Sequence, residues 1–95
     1  MNLDKSQKRI AKKVKKGFQG YPQITITYFG ETDKLATKVE VGFIEAENSE
    51  PMTESFATET EIREDITVQS TIIKIIDRSG ALSVSMTEGV KLLAD

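Results

Sequence analysis

The chain has 95 residues, 38% hydrophobic and 29% charged, with a formal net charge of −2 and neither cysteine nor histidine. Disulfides, thiolate metal sites, thiol catalysis and histidine general bases are thereby excluded, and the length suits a single domain over residues 1–95. The mixture of apolar and charged residues is that of a globular domain rather than a disordered segment.

The small net charge conceals a split. Residues 1–16 hold Lys5, Lys8, Arg9, Lys12, Lys13, Lys15 and Lys16 against Asp4 alone, a net +6, while the remainder is net −8. The chain therefore divides into a basic segment over 1–17 and an acidic body over 18–95, an asymmetry that points to a partner-contacting arm.

Residues 1–17 read as an amphipathic helix. Leu3, Ile10 and Val14 recur at helical spacing with Ala11 beside them, Phe18 continues the row if the last turn holds, and the cations sweep the opposite arc. Asp4 is placed to cap the first turn with Gln7 reaching back, and Gly17 to end the helix in a left-handed conformation. Next, QITITYFG alternates Ile24, Ile26 and Tyr28 with Thr25, Thr27 and Phe29, the period of a strand. The turn cluster GETDK leads to ATKVEVGFIEA, with Val39, Val41 and Phe43 on one face, so the two strands form an antiparallel hairpin. Gly42 within the second strand marks a bulge or a close backbone approach. A weaker third strand, TESFAT, is anchored by Phe56 alone.

The segment over 62–78 is rich in β-branched residues, yet Ile62, Ile66, Ile73 and Ile76 fall at helical spacing with Val68, Ile72 and Ile75 widening the stripe. Acidic residues crowd its first turn, Lys74 and Arg78 sit in its last, and Gly80 follows, so helix is the better reading. ALSVSMTEG then alternates Leu82, Val84 and Met86 against serine and threonine as a fourth strand, and VKLLAD is a strand extension or a docked tail. The order α-β-β-β-α-β predicts an α+β two-layer sandwich, mainly antiparallel, with one sheet face covered by the second helix. Whether the first helix packs on the sheet is left open by its thin apolar stripe.

No nucleophile elbow, P-loop or dinucleotide fingerprint is present, so no catalytic residue, cofactor or enzymatic activity is expected. Glu59, Glu61, Glu64 and Asp65 form an acidic cluster in which Glu61 and Asp65, four apart, would share a helical face and could hold a hard cation. Compensation of the helix dipole accounts for them better, and no metal site is assigned. The N-terminus lacks the apolar core of a secretory signal and no stretch approaches the ~20 apolar residues of a membrane span, so a cytoplasmic location is expected.

The α-β-β-β-α order resembles that of the double-stranded-RNA-binding domain. Such domains place a lysine-rich motif at the start of their second helix, where this chain reads TETEIRED, and the resemblance ends with the order. What stands is a small non-enzymatic accessory or binding domain whose contact surface is the basic helix, with Lys5, Lys8, Arg9, Lys12, Lys13, Lys15 and Lys16 as the candidate residues for an unknown protein or nucleic-acid partner. Two alternatives share that surface: a nucleic-acid-associated protein, and a homo-oligomer whose basic helix docks on an acidic face.

Overall fold

The computed structural model describes residues 2–93. Met1, Ala94 and Asp95 fall outside them, and with them the last two residues of the expected C-terminal extension. Helix α1 (Leu3–Lys15) opens the chain, followed by strands β1 (Gln23–Gly30), β2 (Lys38–Ile44) and β3 (Met52–Ala57). A single 3₁₀ turn at Ile62–Glu64 leads into helix α2 (Ile66–Ser79), and strand β4 (Ser83–Leu92) closes the fold. The elements and their order are those the periodicities predict.

The sheet has the order β3-β2-β1-β4. Strands β1, β2 and β3 form an antiparallel meander, Ile26 opposite Val41 and Val39 opposite Phe56. The chain then leaves β3 at one edge and crosses through α2. It returns as β4, parallel to β1 at the other edge, with Ile24 opposite Val84. Parallel return requires a crossover of a dozen or more residues, which α2 and its flanks supply. Between Met86 and Val90 the register of β4 shifts against β1, and Gly89 takes a positive φ of 70° in that irregularity. Residues beyond it still pair with β1, Leu92 opposite Gly30, so the first part of VKLLAD is strand.

Alternation in β1 sends Ile24, Ile26 and Tyr28 into the core and leaves Thr25, Thr27 and Phe29 on the outer face. Val39 and Val41 of β2 and Val84 of β4 join them, and Ile72, Ile73 and Ile76 of α2 cover the layer. Ile10 of α1 belongs to the same buried cluster, so both helices lie on one face of the sheet. At Gly42 the backbone runs close to its neighbour: a Cβ there would lie 2.5 Å from Thr25 Oγ1. The close approach expected at this glycine is present.

Four local expectations are corrected. Asn2, not Asp4, caps α1, its Oδ1 accepting from the Lys5 amide at 2.8 Å, while Asp4 turns outward to Lys8. Phe18 does not continue the apolar row, because the helix stops at Lys15 and Gly17 turns the chain with φ 71°. Helix α2 begins four residues later than Ile62, since Asp65 caps it through the Val68 amide at 3.0 Å. Ile62 is held in its own turn by a hydrogen bond from its amide to the Ala36 carbonyl at 2.7 Å. Leu82 precedes β4 and is 58% exposed instead of facing the core.

Candidate functional site

The basic segment is a helix seated on the body, not a free arm. Its buried side is narrow. Ser6 and Ile10 are enclosed, and Val14 packs partly against the core. Gln7 Nε2 donates to the Arg63 carbonyl at 2.7 Å, just ahead of α2, while Arg9 Nη2 donates to both Asp77 carboxylate oxygens at 3.2 and 3.3 Å. These bonds tie α1 both to the turn ahead of α2 and to the last part of α2 itself. Of the expected contact residues, Arg9 is thus committed to the protein itself.

The remaining cations face outward. Lys5, Lys8, Lys12, Lys15 and Lys16 are exposed and Lys13 half-buried. Lys8 pairs with Asp4 at 3.1 Å, both side chains being largely solvated. Among the described residues, no carboxylate lies within ion-pair distance of Lys5, Lys12, Lys13, Lys15 or Lys16. Lys8 and Lys12 project almost opposite Ile10, and Lys5, Lys15 and Lys16 flank them, with successive cations ~5–6 Å apart along the surface. Lys12, Lys13, Lys15 and Lys16, late in the helix, are favourable through the macrodipole without any ligand, by a few tenths of a kcal/mol up to ~1 each.

At the C-terminal end of this row the surface turns apolar. Phe18 is 60% exposed and meets Tyr21 edge to face, ring centroids 5.2 Å apart. Leu82 stands nearby over Gly20. Ser83 holds the connection against β4: its hydroxyl accepts from the Gln19 amide and donates to the Gly20 carbonyl, each at 2.6 Å. An aromatic ring therefore stands in water two residues beyond Lys16.

The acidic cluster is dispersed by the folding of its segment. Because α2 begins at Ile66, Glu61 and Asp65 share no helical face, and each is spent on a cap. Glu61 accepts from the Ala36 and Arg63 amides and from Arg63 Nε and Nη2 at 2.8 and 2.6 Å. These hydrogen bonds, the Arg63 side chain foremost, lower its carboxyl from the ordinary 4.5 to about 2. Among the described residues no three acidic side chains converge as metal ligands would.

Sequence reasoning passed over the buried polar side chains Ser6 and Gln69, which occupy the apolar stripes of α1 and α2, and placed Tyr28 on the inner face of β1 without its hydroxyl. Gln69 stands between Ile62, Ile66 and Ile73, Ile76 at their own spacing, and that polar break in an isoleucine row was the available signal. Phe18 carried none, since its exposure follows from where the helix ends. Comparison with family models, curated proteins and solved structures gives no match.

Proposed function

We propose that the protein is a small, cytoplasmic, non-enzymatic binding module that presents the outer face of α1 to a nucleic-acid backbone. One observation carries this reading. The body anchors α1 through Ile10, Gln7 and Arg9, yet supplies no ion-pair partner to Lys5, Lys12, Lys13, Lys15 or Lys16 among the described residues. A row of unneutralised cations on a helix already folded and seated avoids the cost of ordering a free arm, and phosphate contact releases condensed counterions. Phe18 beside the row supplies a ring on which a base can stack, a contact worth ~1–3 kcal/mol in single-strand binders. The absence of tryptophan and the short apolar stripe favour this partner over a membrane surface.

The test is fluorescence anisotropy of labelled single- and double-stranded RNA and DNA with the native chain and with Lys12, Lys13, Lys15 and Lys16 all replaced by glutamate. Micromolar binding by the native chain, lost in the folded variant, is the expected result. Equal binding by both proteins would overturn it. Salt-dissociable self-association without nucleic-acid binding would assign the same face to a second copy.

A further inference from the structure

A cavity of about 420 Å³ opens between α1 and the sheet. Ile10, Val14 and Met86 form apolar walls, and exposed Ala11 stands at its mouth. Gln7, Lys15 and Arg63 line its rim, and the polar groups buried inside it are Tyr28 and Gln69, only 4% and 2% exposed.

Their hydrogen bonding is incomplete in a defined way. Gln69 Nε2 donates to the Ile62 carbonyl at 3.2 Å and to the Tyr28 hydroxyl at 3.1 Å. A carbonyl can only accept, so the Ile62 bond fixes which end of the amide is nitrogen. Both amide hydrogens are thereby used, and Tyr28 acts as acceptor. Two capacities remain: the Tyr28 hydroxyl hydrogen and the Gln69 Oε1 lone pairs, for which the described residues provide no hydrogen-bond partner. Burial raises the Tyr28 hydroxyl above its ordinary value, so its proton stays in place at neutral pH.

Amide O and N are about 2.3 Å apart, which places Gln69 Oε1 within about 5.4 Å of the Tyr28 oxygen. One oxygen atom at ~2.7–2.8 Å from each spans that distance. Of the two cations that line the cavity, Arg63 is already engaged by Glu61 and Lys15 is exposed to solvent, while a lone pair at Oε1 repels an anion. The complementary group is neutral, gives one hydrogen and accepts one. We propose that this cavity binds a small, largely apolar molecule bearing a single hydroxyl group, which accepts from Tyr28 and donates to Gln69 Oε1. The volume lies in the range of small-molecule sites, and the lining has their character of apolar walls with few convergent polar groups.

The experiment titrates the ¹⁵N-labelled full chain with 4-butylphenol, its methyl ether and butylbenzene, following backbone amides of Ala11, Val14 and Met86 and the Gln69 side-chain NH₂ signals. Saturable shifts at these positions are expected for the phenol, with a Kd at or below about 1 mM, and at least tenfold weaker binding of the other two. Ala11→Phe, which fills the mouth from an exposed helix position, abolishes the shifts. The three-compound comparison needs no variant. Lack of saturable shifts, equal affinity for phenol, ether and hydrocarbon, or phenol binding untouched in folded Ala11→Phe would each overturn the proposal.

Discussion

Ser6 and Glu61 have opposite balances of burial and bonding. Ser6 is fully enclosed on the inner side of α1, and its Oγ has no hydrogen-bond partner among the described residues. A buried hydroxyl without a partner costs about 1–3 kcal/mol in desolvation, whereas alanine fits the same space and improves helix propensity. Ser6→Ala is therefore expected to raise stability by about 1 kcal/mol, read as a higher urea midpoint with an unchanged m-value. Glu61, by contrast, is over-determined. Its depressed carboxyl stabilises the fold fully above 4.5, and the contribution is lost as pH falls from there to about 2. Arg63 is 37% exposed, so solvent screening limits the effect to about 1–2 kcal/mol at neutral pH. Glu61→Gln is expected to lower stability by that amount at pH 7 and to flatten the decline between pH 4.5 and 2 in a series of urea melts. Neither role was legible from residue type alone. A serine in an apolar row and a glutamate before a helix look ordinary until the neighbouring chain, here Ala36, is in place.

Helix α1 is held by two kinds of contact of unequal strength. Ile10 is 2% exposed within the common core, while Arg9 and Asp77 are 42% and 50% exposed. Truncating the buried isoleucine to alanine costs about 2–4 kcal/mol, and an exposed ion pair contributes at most about 1. Ile10→Ala should thus lower the thermal midpoint by ten degrees or more and Arg9→Ala by only a few, at ~4–8 °C per kcal/mol for a domain of this size. The reverse ranking would mean that charge, not burial, seats the helix. Element types were readable because their periods differ: 2 in QITITYFG, 3.6 in the isoleucine stripe of α2. The boundaries of α2 were not, since Ile62 keeps helical spacing with Ile66 and the break depends on hydrogen bonds to Ala36 and Asp65. The place of β4 beside β1 was equally hidden, because an alternating strand reads the same whichever neighbour it pairs with.

Across the molecule, the charge split seen in the sequence becomes a division of surfaces. The apolar side of α1 is absorbed by the core, Glu61 and Asp65 serve as caps, and Asp77 pairs with Arg9. What remains of the basic segment for a partner is the outer lysine face. That face was legible in the sequence as a one-sided cationic helix. The exclusion of Arg9 from it and the addition of Phe18 were not, as both depend on where the helix rests and where it ends. If five lysines reach phosphates on duplex DNA, log K should fall with log salt at a slope near −4 to −5, about 0.9 per contact. The most direct measurement is that slope, taken by anisotropy from 50 to 200 mM salt. A slope of about −4 to −5 for the native chain, with binding abolished when Lys12, Lys13, Lys15 and Lys16 are glutamate, is the predicted result. A slope shallower than about −2, or none because the folded chain does not bind, would contradict the assignment of α1 as a nucleic-acid contact.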